Sequence, residues 1–250
     1  MDPDFLLLIK VRRIHANTRG SYGSRRMSKE LRDDGHAVGR YRARSLMKRA
    51  GVAVKPRKRF KKTTDSKHNL PVAPNLLDRK FSVDRPNAAW CADISYLWTI
   101  QGWLYLAVII DLFSRKVVGW AMSSCMKTKL VTEALAMAYF RRKPPKGLLH
   151  HSDRGSQYAS CEYQQMLESY GMRCSMSRKG DCWDNAAVES FFHLLKTEWI
   201  KDTVYRTRDE ARADVLEYIE IFYNNHRRHS FIDYMSPSEF EKQMEVSKAA

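Results

Sequence analysis

The first fifty residues carry apolar positions at helical spacing. Three segments have helix-compatible composition: residues 4–16, 24–34 and 39–50. Turn-forming clusters at residues 18–21 and 33–35 separate them. The pattern therefore predicts a small module made only of helices.

The third of these segments has one apolar side and one basic side. The apolar positions recur at helical spacing and predict a buried face of Gly39, Ala43, Leu46, Met47 and Ala50. The remaining surface is lined by Arg40, Arg42, Arg44, Lys48 and Arg49. Short helices with a basic last helix are compatible with a helix-turn-helix that lies against DNA. A helical bundle with a solvated charged face remains an equal alternative.

From about residue 84 the pattern changes to short apolar runs. Three consecutive strands joined by tight turns are predicted at residues 88–99, 104–113 and 116–123. Helices at 128–140 and 156–170 alternate with strands at 147–151 and 172–177. Two closing helices are predicted at 186–200 and 207–224, the second opened by the capping box Thr207-Arg208-Asp209-Glu210. Three antiparallel strands followed by alternating helix and strand predict an α/β layered domain with a mixed sheet.

The net charge of +16 is concentrated at one end of the chain. Residues 1–80 contain 22 Lys and Arg against 7 Asp and Glu, whereas residues 81–250 contain 22 against 21. This asymmetry indicates a basic amino-terminal module that meets a polyanion and a near-neutral body with another task. A generally soluble basic face is the alternative.

The segment KPRKRFKKTTDSKHNLP, residues 55–71, is rich in Lys and Arg and lacks periodicity. It is predicted to be a linker. It would track DNA phosphates as an extended arm, through residues such as Arg57, Lys58 and Arg59, or act as a plain tether.

Composition excludes several other classes of protein. A content of 44% hydrophobic and 11% aromatic residues is typical of a globular protein. No apolar run approaches the ~18 residues of a membrane span. The five cysteines are scattered and form no C-x-x-C pair, so neither a disulfide framework nor a structural zinc site is predicted. We expect a soluble, cytoplasmic protein.

Three carboxylates stand at positions suited to chemistry. Asp93 lies inside the first predicted strand, and Asp153 follows the apolar run 147–149. Glu189 lies early in a helix, where the spacing puts it on one face with His193 and Lys196. Carboxylates held together repel unless divalent ions neutralise them, and oxygen ligands suit Mg²⁺ or Mn²⁺. The alternative is that these acids are helix caps, turn residues or solvated.

Such a cluster would act on phosphodiesters. Two ions ~3.5 to 4 Å apart activate a nucleophile and stabilise the leaving oxygen. Lys196 and Arg154 would orient the scissile phosphate.

Several motifs in order resemble the DDE transposase and retroviral integrase superfamily. They are WCADISYLWT, HHSDRGSQYAS and GDCWDNAAVESFFHLLKTEW around the three acids, with 35 residues between Asp153 and Glu189. The stretches RGSYGSRRMSKELR, MKRAGV and YNNHRRHSFIDYMSPSEFE extend the resemblance over nearly the whole chain. It is nearest to the second-frame protein (OrfB) of bacterial insertion sequences of the insertion-sequence-three family.

This resemblance implies a ribonuclease-H-like integrase core, a mixed five-stranded sheet flanked by helices, with a small all-α helix-turn-helix-like module before it. It implies Asp93, Asp153 and Glu189 as catalytic residues and as ligands of two Mg²⁺ or Mn²⁺ ions per active site. The implied reaction nicks the 3′ ends of the element and joins the freed 3′-OH to another phosphodiester, without a covalent enzyme intermediate.

The resemblance also implies partners. These are the terminal inverted repeats and target DNA, a second protomer in the synaptic complex, and an upstream-frame (OrfA) protein or frameshift fusion.

The expected boundaries are a basic module at 1–54, a linker at 55–83, a catalytic core at 84–205 and a helical extension at 206–250. A DNA-binding regulator without catalysis, or a metal-dependent nuclease, are the alternative functions.

Other residues compete for roles in the site. Asp111 is the best competing acid and is otherwise a turn residue, while Asp181 and Asp184 are expected to shape the loop before Glu189. His150 and His151 point to opposite faces of a strand, which favours indirect or substrate contact for one of them. The indole side chains expected to fill the sheet core, with stacking on bases as the alternative, are those of Trp90, Trp98, Trp103 and Trp120. Residues 226–229 are expected to meet DNA or the core domain, with a solvated helix end as the alternative.

Overall fold

The computed structural model describes residues 4–54, 70–179, 181–201 and 203–249. Its first three helices are α1 (Phe5–Asn17), α2 (Ser24–Asp33) and α3 (Arg40–Arg49). The buried face of α3 consists of Ala43, Leu46 and Met47, as the periodicity predicts, whereas Gly39, expected on the same face, precedes the helix and is exposed. Its arginines and lysine are exposed.

A five-stranded mixed sheet forms the centre of the fold. Its strands are β1 (Ala89–Thr99), β2 (Gly102–Asp111), β3 (Val117–Ser123), β4 (Leu149–Ser152) and β5 (Arg173–Met176). They lie in the order β3-β2-β1-β4-β5. The first three strands pair antiparallel, and β1–β4 and β4–β5 pair parallel. This arrangement confirms the predicted mixed sheet.

Helices flank the sheet. They are α4 (Thr128–Arg142), α5 (Ser156–Ala159), α6 (Cys161–Ser169), α7 (Ala186–Leu194), α8 (Arg208–Leu216) and α9 (Pro237–Ala249). Short 3₁₀ helices cover Cys182–Asn185 and Ser230–Ile232. The helical stretches after α7 and α8 are π-helical, at Leu195–Trp199 and Glu217–Tyr223.

The helix α4 packs closely against β3 at Gly119. A Cβ atom added to Gly119 in β3 would lie 2.3 Å from the carbonyl oxygen of Ala134 and 2.7 Å from Cβ of Ala138. Only glycine leaves room for this contact. The core between sheet and helices also contains Trp90, fully buried on β1.

Several helices differ from the predicted elements. The single helix expected at 156–170 is broken at Ser160, which is extended (ψ 145°) and caps α6 by accepting a hydrogen bond from the N–H of Tyr163. Regular α-helix was expected through residue 200, but π-helix begins at Leu195. No helix was predicted at α9, although Ser236 and Glu239 form a capping box there.

The indole side chains divide between core and surface. Trp90 is buried and Trp120 is half-buried, with its Nε1 donating to Glu220 at 2.6 Å. Trp98 and Trp103 are 59% and 42% exposed at the β1–β2 hairpin. The expectation that all four fill the core is therefore wrong for these last two, whose rings pack edge-to-face on each other with centroids 4.7 Å apart.

The described residues divide into two compact units. One contains residues within 1–60, 193–203 and 228–234, and the other contains residues within 61–192, 204–227 and 235–250. Within the described part of the chain, no helix is long and apolar enough to cross a membrane.

Candidate active site

Asp93 lies on β1, the central strand of the sheet. Its side chain is half-buried, and its Oδ1 accepts a hydrogen bond from the N–H of Ile94 at 2.8 Å. The preceding residues Cys91 and Ala92 are buried. A carboxylate beside this apolar core is costly unless a cation accompanies it.

Asp153 is brought beside Asp93 by the register of the sheet. β1 and β4 run parallel, and Ala92 pairs with Ser152. Asp93 and Asp153 are the next residues in the same direction on each chain segment. Paired strands lie about 4.8 Å apart, so the two backbones approach closely at this point.

The turn after β4 holds the carboxylate of Asp153 in place. Its Oδ1 accepts a hydrogen bond from the N–H of Gly155 at 2.8 Å. A Cβ at Gly155 would lie 3.0 Å from this same Oδ1 and 3.0 Å from Oε1 of Gln157. The glycine in the motif SDRGS therefore leaves space for the carboxylate.

The hydroxyl of Tyr158 lies within the field of both aspartates. It is fully buried, and no hydrogen-bond partner for it occurs among the described residues. Burial raises the pKa of Tyr158 well above its ordinary value, and the charges of Tyr163, Asp93 and Asp153 raise this pKa further. The charges of both carboxylates therefore influence the same buried hydroxyl group.

Glu189 is exposed on α7, and the start of its helix is tied to β1. The Nδ2 of Asn185, the residue before α7, donates to the carbonyl of Ala92 at 3.0 Å. No three His, Cys, Asp or Glu side chains within the described ranges are close enough to hold one metal ion. The structure therefore brings Asp93 and Asp153 together but not all three acids.

Asp184 anchors the loop before α7. Its buried carboxylate accepts hydrogen bonds from the side chains of Arg178, Arg79 and Asn75. The hydrogen bonds from Arg178 are the main reason why the pKa of Asp184 lies well below its usual value. Asp181 accepts from the N–H of Trp183 and pairs with Arg79. Both acids shape the loop, as expected from the sequence.

Asp111 has a structural role. Its carboxylate accepts hydrogen bonds from the N–H of Asn87 at 2.9 Å, the N–H of Phe113 at 3.0 Å and the guanidinium of Arg142 at 3.1 Å. Arg142 also pairs with Glu241 of α9. These bonds account for a carboxylate with no exposed surface.

The two histidines of β4 face opposite sides of the sheet, as expected. Nε2 of His150 lies 3.0 Å from the hydroxyl of Tyr163, and Nδ1 of His151 lies 2.8 Å from Oγ of Ser175. Both side chains are completely buried. The burial of both rings argues against the expected substrate contact, and the indirect role stays a prediction.

The predicted DNA-contacting residues of α3 are all exposed: Arg40, Arg42, Arg44, Lys48 and Arg49. Two of them are paired, since Asp4 accepts from Arg42 at 2.9 Å and also binds Arg49. Arg57, Lys58 and Arg59 lie outside the described residues.

The other basic residues considered for DNA contact lie outside α3. Nε of Arg154 donates to the carbonyl of Ser177. Lys196 lies in the π-helical stretch Leu195–Trp199, directly after α7. In the closing segment, Arg227 is buried and Arg228 pairs with Glu30 at 2.7 Å.

Comparison with known proteins identifies both parts of the chain. Residues 3–60 match the family "HTH-like domain", and residues 83–182 and 189–244 match two families described as "Integrase core domain". The fold is also similar to a chain in the simian T-cell lymphotropic virus intasome in complex with PP2A regulatory subunit B56 gamma. That match has a TM-score of 0.51 and 18% identity, and covers 92% of this chain and 74% of the other.

Two sequence relatives match over most of their length. The 31 kDa protein of insertion element IS600 from Shigella sonnei is 46% identical over 96% of this chain and 88% of its own length. Transposase InsF for insertion sequence IS3A from Escherichia coli (strain K12) is 46% identical over 88% of this chain and 76% of its own length. The chain therefore belongs to the insertion-sequence transposases of the IS3 type, polynucleotidyl transferases with an integrase core domain.

Proposed function

We propose that Asp93, Asp153 and Glu189 are the catalytic carboxylates with which this transposase nicks the 3′ ends of its element and joins them to another DNA phosphodiester. The pairing of β1 with β4 supports this proposal most directly, because it sets two acids that are 60 residues apart side by side. The competing acids Asp111 and Asp184 are satisfied by arginines and backbone N–H groups.

Hard divalent cations fit this set of donors. All three candidate ligands are carboxylates, the oxygen donors that Mg²⁺ and Mn²⁺ take. When bound, two such ions would activate the attacking water or 3′-OH and offset charge on the leaving oxygen. We assign them to Asp93 and Asp153, with Glu189 completing the set.

The chain's own residues prepare this set of ligands. The N–H groups of Ile94 and Gly155 each hold one oxygen of an aspartate. Asn185 keeps the start of α7 against β1, so Glu189 needs only a local adjustment when cations and DNA remove the repulsion between the acids. The basic surface of α3 would hold the terminal inverted repeats through phosphate contacts.

The same function implies further partners. Processing of two element ends calls for at least two protomers in a synaptic complex with target DNA. An upstream-frame protein or frameshift fusion would add further contacts to the ends. We place the reaction in the bacterial cytoplasm, where the DNA is.

Joining of labelled element ends by the purified chain with Mg²⁺ tests the proposal. Asp93→Asn, Asp153→Asn and Glu189→Gln should each lower cleavage and joining by at least about 100-fold, since each removes a ligand charge. DNA binding should stay within about 2-fold of wild type, because phosphate contacts dominate affinity. Asp209→Asn and Glu133→Gln are matched controls on exposed side chains and should retain full activity.

Two results would contradict the proposal. Equal DNA binding by all variants without any cleavage or joining, with the upstream-frame protein present or absent, would favour a regulator. Cleavage without joining under every condition would favour a plain nuclease.

A further inference from the structure

A cleft of about 330 Å³ opens within the unit that contains α1, α2 and α3. Its walls include the starts of two helices, at Ser24 of α2 and Arg40 of α3. The residues before them are Gly23 and Gly39, and neither provides a side-chain cap. Helix starts of this kind present N–H groups and a partial positive charge to an anion.

A buried hydroxyl without a partner points to a ligand in the same place. Ser21 lines the cleft and is only 5% exposed. Its Oγ has no hydrogen-bond partner within the part of the chain that the structure describes. A buried polar atom left without a partner costs free energy, so a bound group that accepts a hydrogen bond from it would be favoured.

The charges on the walls favour an anion as well. Arg25, Arg26 and Arg40 line the cleft together with one acid, Glu198. Arg26 pairs with Glu198 at 3.1 Å. Neither Arg25 nor Arg40 pairs with an acidic side chain among the described residues. Two arginines are thus available beside the helix starts, and the carboxylate of Glu198 shows that the cleft accommodates an anionic oxygen.

We propose that this cleft binds a phosphate group of the DNA backbone, through the start of α2, the hydroxyl of Ser21 and the side chains of Arg25 and Arg40. This inference rests on DNA being the substrate, as proposed above. A phosphate contact of this kind sets the register of the helical module on DNA without reading its sequence. It is separate from the α3 residues Arg42 and Arg49, which pair with Asp4.

DNA binding by the full-length chain tests the proposal. Fluorescence anisotropy would be measured over a range of salt with two labelled duplexes, an element end and an unrelated sequence. Arg25→Gln should weaken binding of both by roughly 3- to 10-fold, and the slope of log affinity against log salt should fall by about 1. The matched control is Arg32→Gln, which removes an equal charge from the exposed surface of α2 outside the cleft and should have a smaller effect on both quantities.

Ser21→Ala separates a ligand role from a structural one. Because the hydroxyl has no partner among the described residues, its removal should leave the melting temperature unchanged or raised. Affinity for both duplexes should fall by about 10-fold, the loss expected for a hydrogen bond to a charged group. A lower melting temperature with unchanged affinity would overturn the proposal. Glu198→Gln should raise affinity, because it removes the only acid on the cleft wall among the described residues.

Inorganic phosphate distinguishes the source of the anion. As the sole probe, it should bind weakly, and it should compete with the duplex only at high concentration. Tight phosphate binding that leaves duplex affinity unchanged would overturn the assignment to DNA. A failure of catalysis is distinguishable, since the binding changes above are measured without Mg²⁺ and do not depend on cleavage or joining.

Discussion

His150 and His151 of β4 are kept neutral by the fold. Burial lowers the pKa of His150 to about 3 and that of His151 to about 4. In the unfolded chain each would bind a proton below a pKa of about 6.5. The unfolded state therefore binds more protons at mildly acidic pH, so stability is complete above pH ~6.5 and is lost as the pH falls toward 4. Each histidine contributes a slope of up to about 1.4 kcal/mol per pH unit.

Urea unfolding between pH 4.5 and 7 would measure this slope. His150→Gln should reduce the dependence of the unfolding free energy on pH by about one proton. The control is His226→Gln, which changes an exposed histidine and should leave the slope as in wild type. An unchanged slope in His150→Gln would mean that the buried ring is already protonated in the folded protein.

The positions of single residues could be predicted from the sequence where the local pattern of apolar and polar residues determines them. The strand placement of Asp93 and the turn after Asp153 follow from short apolar runs. Two partners of Asp184 were not predictable, because Arg79 and Asn75 are 105 and 109 residues away. For the same reason the sequence could not show whether Glu189 approaches the two aspartates.

At the scale of elements, the contact between β3 and α4 depends on Gly119. Gly119→Ala would push a methyl group into the backbone of α4, where the nearest atom is only 2.3 Å away. We expect the free energy of unfolding to fall by about 1–3 kcal/mol or more, because packed interiors accommodate extra volume poorly. Gly39→Ala is the comparison, since a Cβ there meets nothing within 4 Å; it should cost less than about 1 kcal/mol. Equal losses in the two variants, measured by urea unfolding, would show that α4 moves away without cost.

Element types and most boundaries were accessible to sequence reasoning because apolar periodicity reports them directly. The start of α8 follows its capping box, and Thr207 Oγ1 accepts from the N–H of Glu210 at 3.1 Å. The same signal, Ser236 with Glu239, would have identified α9. The change to π-helix at Leu195 has no comparable local signal, since LKTEW suits an α-helix equally well.

At the scale of the whole molecule, the unit with the three amino-terminal helices is completed by distant parts of the chain. Residues 193–203 and 228–234 belong to it. The guanidinium of Arg19 lies 3.7 Å from the ring centre of Trp199. Such contacts join residues some 180 positions apart, which periodicity and composition do not reveal. The expected boundaries at 54, 83 and 205 therefore stay predictions about chain segments.

Arg228 joins residues 228–234 to α2 within this unit. Its guanidinium pairs with Glu30 at 2.7 Å and with Asp33 at 2.5 Å. Its backbone N–H donates a hydrogen bond to the hydroxyl of Tyr22 at 2.9 Å. Arg228→Ala should therefore increase hydrogen exchange throughout α2, because it removes a guanidinium that pairs with both Glu30 and Asp33 of this helix. Arg212→Ala is the matched control, since Arg212 forms only an exposed pair with Asp209. If α2 exchanges equally slowly in both variants, the amino-terminal helices are stable without the closing segment, and a fragment of residues 1–60 should then fold alone. If protection is lost only in Arg228→Ala, such a fragment should be largely unfolded by circular dichroism.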